Sequence, residues 1–137
     1  ATPEVNFKWG RVIRFDKDLY WVANTTHEPD ASGTLNLNTD NHLPWLNGAI
    51  TVSLTQNKED DKVTFQTNAR NLRIKPEHAS VSKPLKEWLK VWRIPRWERN
   101  GAPVIYLNSQ PIALIVNREC VYLQPREPRI HVSFKSD

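Results

Sequence analysis

The sequence predicts an α+β fold, mostly antiparallel β, with one amphipathic helix inserted ahead of a final meander of strands. Three observations carry this. Short apolar runs recur between polar turns, as in RVIRF at Arg11–Phe15, AITVSLT at Ala49–Thr55 and IALIV at Ile112–Val116. A single segment, Ser82–Arg93, changes to helical spacing. Six tryptophans among 137 residues, with 39% hydrophobic residues, supply apolar surface for one folded core and exclude intrinsic disorder.

Taken in order, Arg11–Phe15 and Leu19–Ala23 (LYWVA) flank Asp16-Lys17-Asp18, the pattern of a hairpin with a polar loop. Thr25–Asn41 is rich in Thr, Asn, Asp, Pro and Gly and reads as loop. In Ala49–Thr55, Ile50, Val52 and Leu54 alternate with Thr51, Ser53 and Thr55, as in a half-buried strand. Asn57–Asp61 is a polar turn, and Lys62–Gln66 (KVTFQ) a returning strand. In Ser82–Arg93, Leu85, Trp88, Leu89 and Trp92 stand at i, i+3, i+4 and i+7, one stripe of a helix. Pro84 suits its first turn, and Ile94-Pro95 closes it. At about 100° per residue, Lys86, Lys90 and Arg93 share a flank beside that stripe. RWERNG then turns into Val104–Leu107, Ile112–Val116 and Cys120–Leu123. Asn108-Ser109-Gln110 and Asn117-Arg118-Glu119 read as the hairpin loops between them, and Ile130–Phe134 as a last strand.

Charge is uneven along the chain. Residues 1–68 hold six Lys and Arg against nine Asp and Glu, whereas residues 69–137 hold thirteen against six. Nine cations fall between Arg70 and Arg99, against Glu77, Glu87 and Glu98. Such a concentration points to a polyanion-facing surface. Catalytic patterns are missing. His27, His42, His78 and His131 are scattered, without H-x-H or H-E-x-x-H spacing, and Gly10, Gly33, Gly48 and Gly101 form no phosphate cradle. Asp16, Asp18, Glu59, Asp60 and Asp61 are read as solvated turn carboxylates. The one cysteine, Cys120, lies in an apolar strand pattern and is read as a structural thiol. Asn24-Thr25-Thr26 matches a glycosylation sequon, read as a chance triplet. No apolar run approaches a membrane span, so a soluble, cytoplasmic protein is expected. The chain contains no methionine and starts at Ala1, which raises the expectation of a domain cut from a larger protein. Trp88 and Trp92 are read as core by their spacing, and Trp97 as packing in a turn, with base stacking the other use of such rings.

Ser82–Tyr106, SKPLKEWLKVWRIPRWERNGAPVIY, resembles the C-terminal motif of the tRNA(Ile)-lysidine synthetases. Leu85-Lys86, Pro95, Trp97, Arg99, Pro103 and Tyr106 stand at matching places, and Leu107–Val116 is similar to the strand pair that follows. Upstream, Val63-Thr64-Phe65, Arg73-Ile74-Lys75-Pro76 and Trp9-Gly10-Arg11 through Leu19-Tyr20-Trp21 are similar to further pieces of the family, in order. Pro95-Arg96-Trp97 departs from the family's Pro-Pro-Trp, and Asn68, Ala69 and Asn71 replace its paired glycines. The resemblance implies a β-sandwich or barrel of SH3-like topology, similar to a module of phenylalanyl-tRNA synthetase. It implies a single C-terminal domain over residues 1–137, with a leading β segment (1–61) and the family motif region (62–134). It also implies a parent ligase that uses ATP and magnesium, neither bound by this chain, to attach lysine to the wobble cytidine. The partners implied are tRNA(Ile) and a catalytic domain of the same parent chain. This chain would be inactive alone, with no catalytic residue of its own.

Pattern and resemblance together nominate Arg70, Arg73, Lys75, Lys83, Lys86, Lys90, Arg93, Arg96 and Arg99 as contacts to RNA phosphates. The alternative is a basic docking module that meets an acidic protein surface without touching RNA. An autonomous enzyme is a distant third.

Overall fold

The computed structural model describes residues 31–137 in full and, ahead of them, the backbone of three strands. These are β1 (Glu4–Phe7), β2 (Gly10–Phe15) and β3 (Asp18–Ala23), an antiparallel sheet in that order. The expected β2–β3 hairpin is present, with Phe15 opposite Asp18, and β1 adds a strand not expected. Trp9, the Asp16-Lys17 turn, the Asn24 sequon and His27 lie outside the described residues.

Ten more strands and two α-helices follow among the described residues, with a single 3-10 turn at Pro44–Leu46. They are β4 (Ser32–Thr34), β5 (Asn41–Leu43), β6 (Gly48–Leu54), β7 (Val63–Gln66), β8 (Arg73–Ile74) and β9 (Lys83–Pro84), then α1 (Leu85–Val91) and α2 (Arg96–Arg99). The chain ends in β10 (Val104–Leu107), β11 (Gln110–Val116), β12 (Glu119–Tyr122) and β13 (Ile130–Ser136). A five-stranded sheet runs β12-β11-β10-β7-β4, a three-stranded sheet β13-β6-β5, and β8-β9 form a two-stranded ribbon. All the strand pairs within these sheets are antiparallel, so the β-rich α+β class holds. Among the described residues no helix is long and apolar enough to cross a membrane.

Strands β10 and β11 of the five-stranded sheet are buried on both faces, which explains their apolar runs. Ile105, Leu107, Ala113 and Ile115 share a core with Ile50, Val52, Ile130 and Val132 of the three-stranded sheet. Their neighbours Val104, Leu114 and Val116 belong to a second core with Leu85, Trp88 and Leu89 of α1. The register shifts after Ile105, which pairs with Ala113 while Tyr106 pairs with Pro111. Pro111, lacking an N–H, thus sits beside a bulge, where it costs the ladder least. Both meander turns are two residues long rather than three. Asn108 and Ser109 have φ of 50° and 74°, Asn117 and Arg118 of 51° and 61°, the twist that tight hairpins require. Gly48 leaves room for Phe134 and β13, since a Cβ there would stand 2.7 Å from the Lys135 carbonyl oxygen. At the other edge the Tyr122 hydroxyl ties β12 to β13, accepting from Val132 N–H (3.0 Å) and lying 3.2 Å from its carbonyl oxygen.

Two expectations are corrected. The segment Thr25–Asn41 is not all loop. β4 pairs with β7, and Leu35, only 4% exposed, enters the core and donates its N–H to Val63. A short edge strand needs only a backbone partner, so its Ser-Gly-Thr composition carried no signal. The strand after Asn57–Asp61 does return, but not to β6. Both edges of β6 are taken by β5 and β13, so β7 crosses to the other sheet and pairs with β10.

That crossing is pinned by Asp61, which is no solvated turn carboxylate. Its oxygens meet Arg129 Nη1 (2.8 Å), Asn108 Nδ2 (2.8 Å) and the Lys58 N–H (2.9 Å). The Arg129 bond first, then Asn108 and Lys58, hold its carboxyl well below the usual carboxylate range. A depressed folded-state pKa stabilises the fold above the unfolded value, near ~3.9, and is lost as pH falls through the folded value. Asp61→Asn should therefore lower Tm at pH 7, with the gap to the unsubstituted chain closing in acid below about pH 4. A gap independent of pH in thermal melts would assign the effect to shape rather than charge.

Candidate nucleic-acid interface

Helix α1 carries the expected stripe. Leu85, Trp88 and Leu89 are buried, and half-buried Trp92 stacks on Trp88 with ring centroids 5.6 Å apart. Trp88 Nε1–H donates to the Ile74 carbonyl (3.1 Å), tying the helix to β8. The helix is shorter than Ser82–Arg93. Pro84 is extended and offers no side-chain cap. The first free N–H groups are satisfied instead by the preceding loop, Leu85 N–H by Leu72 O (2.8 Å) and Lys86 N–H by Arg70 O (2.9 Å). Backbone bonds thus fasten the Arg70 loop to the start of the basic helix.

At the other end Arg93 N–H bonds to Lys90 O and Ile94 N–H to Leu89 O, a Schellman closure with Arg93 in the left-handed position at φ 56°. Only Lys86 and Lys90 therefore lie on the helical flank. Arg93, expected on it, leaves the helix by that turn. Glycine is the usual residue here, and a side chain costs energy. Arg93→Gly is expected to raise stability by about 0.5–1 kcal/mol in urea unfolding while weakening binding to a polyanion, opposite signs from one substitution.

The nine nominated cations fall into three groups. Arg70 faces α2. Burial, then the neighbouring charges of Arg70 and Arg96, lower the pKa of Arg99, so both cations stand in its neighbourhood. Arg99 Nε–H is held by Ile94 O at 2.7 Å. The ribbon carries the second group. Arg73 pairs with Pro84 and Ile74 with Lys83, and Arg73 also donates to Ser82 O (3.1 Å). Lys75 follows, half-buried. Lys83 lies 5.0 Å above the Trp88 ring. The third group is Lys86, Lys90 and Arg93 along and beyond α1, with Lys90 3.9 Å from Glu87. Arg70, Arg73, Lys90, Arg93 and Arg96 are exposed, and the other four are half-buried.

Pattern reasoning missed Arg118. Its charge, on the β11–β12 turn, acts on Glu98 of α2, a proximity across twenty residues that no local spacing encodes. It also missed Arg126, whose guanidinium lies 3.7 Å over the Tyr122 ring. RWERNG, expected as a turn, holds the single helical turn α2, and Trp97 is half-buried. Cys120 is half-buried, and burial pushes its thiol up to about 11, so it is protonated and unreactive at neutral pH. No group of three or more His, Cys, Asp or Glu among the described residues could hold a metal ion. What the arrangement offers chemically is a dense, ordered set of cations for binding an anion.

Residues 63–119 match the family described as the TilS substrate C-terminal domain. The chain is 28% identical over 129 residues to tRNA(Ile)-lysidine synthase of Vibrio parahaemolyticus serotype O3:K6, covering 83% of this chain and 28% of that enzyme. It is 28% identical over 123 residues to the same-named enzyme of Vibrio campbellii, covering 83% and 27%. For that of Coxiella burnetii it is 23% identical over 124 residues, covering 84% and 27%. The chain thus spans less than a third of the length of the curated relatives it matches. Over most of its own length it is similar to a part of these enzymes.

Proposed function

We propose, from its likeness to the lysidine synthase C-terminal domain, that this chain holds tRNA(Ile) by its sugar–phosphate backbone. A catalytic domain of the parent enzyme, using ATP and magnesium, then attaches lysine to the wobble cytidine. The chain selects and positions; the chemistry lies elsewhere. In this reading the two-sheet core has the SH3-like topology shared with the phenylalanyl-tRNA synthetase module. One observation carries the proposal furthest: backbone bonds lock the Arg70 loop to basic α1, and the charges of Arg70 and of Arg96 on α2 both reach Arg99. Cations gathered on neighbouring elements raise the local positive potential, which a polyanion neutralises. Duplex RNA is read largely through shape and backbone, which suits cations on a rigid support.

Titration of the 137-residue chain with tRNA(Ile) tests this. Saturable binding is expected, with log affinity falling linearly against log salt concentration. Absence of binding at modest salt would overturn the reading in favour of a docking module.

A further inference from the structure

Beside the cations lies a groove of a different character. It has a volume of about 460 Å³ and runs between α1, the Pro76–Ala79 turn and β12. Trp88, Trp92 and Tyr122 line it together with Val121, Glu77 and His78. The stacked indoles, inclined by 25°, form one aromatic wall. Its lining includes one carboxylate and no Lys or Arg, so the groove itself is unsuited to a phosphate. Cations stand instead at its rings, Lys83 over Trp88 and Arg126 over Tyr122. The turn that closes it is rigidly held. The Gln124 amide nitrogen lies 2.8, 2.9 and 3.0 Å from the carbonyl oxygens of Pro76, Glu77 and Ala79. Glu77 N–H bonds to Tyr122 O at 2.9 Å.

We propose that this groove takes one unpaired nucleobase of the bound RNA, stacked against Trp92 and Tyr122, with the flanking phosphates on Lys83 and Arg126. The proposal rests on the tRNA-binding reading and deepens it. A base is a flat, neutral π-system that aromatic walls accept whatever its identity. The Glu77 carboxylate supplies an acceptor for a base N–H. A paired base would have to unstack and unpair to enter, at a cost in free energy, so the groove adds to duplex binding where the RNA is single-stranded. Gln124 is a positioning residue, since it sets the turn without facing the base.

The test compares an RNA hairpin with a blunt stem and the same hairpin with a single-stranded extension carrying 2-aminopurine, both titrated with the 137-residue chain. The extension is expected to raise affinity about tenfold and its 2-aminopurine fluorescence to be quenched on binding. Trp92→Ala should abolish the gain and the quench, and Trp92→Phe should keep most of both. The quench in the unsubstituted chain is independent of any variant's folding. Equal affinity for the two RNAs with undiminished fluorescence overturns the groove while leaving the tRNA-binding reading intact. That is also the outcome if the groove holds an apolar side chain of a protein partner. A gain that survives in folded Trp92→Ala overturns it equally. If neither RNA binds, both readings fall.

Discussion

Reversing two charges on α1, Lys86→Glu with Lys90→Glu, is expected to lower affinity for tRNA(Ile) about 10- to 100-fold at low salt and to flatten its salt dependence. Each phosphate contact contributes roughly −0.9 to the slope of log affinity against log salt concentration in duplex binding. Losing two should shift that slope by about 2. The fold should tolerate the change. Lys90 is exposed, and its pairing with Glu87 at 3.9 Å across one turn is worth only about 0.2–0.5 kcal/mol. Lys86 is half-buried, but its backbone N–H, not its charge, makes the bond to Arg70 O. Lys135→Glu, on strand β13 rather than among the nominated cations, carries half that change in net charge and should leave the slope nearly unchanged, because screening confines exposed charges to about 10 Å at 0.1 M salt. Unchanged affinity in the double variant at low salt would remove this helix from the interface.

The nine cations were legible as a cluster in sequence, but not as an arrangement. Composition placed them within thirty residues. The bonds that fold Arg70 onto Lys86 are backbone to backbone, and backbone groups are the same in every sequence. Arg93 shows a related limit. Helical periodicity extends the flank to it, while its φ of 56° belongs to a position usually marked by glycine, so nothing marked an end ahead of Ile94-Pro95. Strands β10 and β11 were plain because burial on both faces writes unbroken apolar runs, and α1 because its stripe is regular. β4 was hidden, since an edge strand owes its existence to the partner rather than to its own residues. Asp61 was misread for the reason that its partners Asn108 and Arg129 stand 47 and 68 residues away. In isolation the segment Asn57–Asp61 has every mark of a solvated turn.

Trp88→Ala is expected to destabilise the fold by about 3–5 kcal/mol, the range for a large aromatic cut from a core, and to weaken RNA binding even where the variant remains folded. Trp88 is 8% exposed. It joins three things, the second core, the Ile74 carbonyl on the ribbon and the ring of Trp92. The ribbon has only two residues in each strand, so its own ladder holds it weakly. Arg73 and Lys83 ride on it and Lys75 follows directly. Removing the indole releases these cations from α1 without altering the net charge. Trp88→Phe separates packing from pinning. It keeps a ring in the core but leaves the Ile74 carbonyl without that donor, a loss of about 1–3 kcal/mol. Chemical denaturation should rank stability as unsubstituted, then Trp88→Phe, then Trp88→Ala, and tRNA affinity below the unfolding range should follow the same order. If folded Trp88→Ala binds with undiminished affinity, the ribbon cations take no part. Binding would then rest on α1 with the Arg70, Arg96 and Arg99 cluster alone.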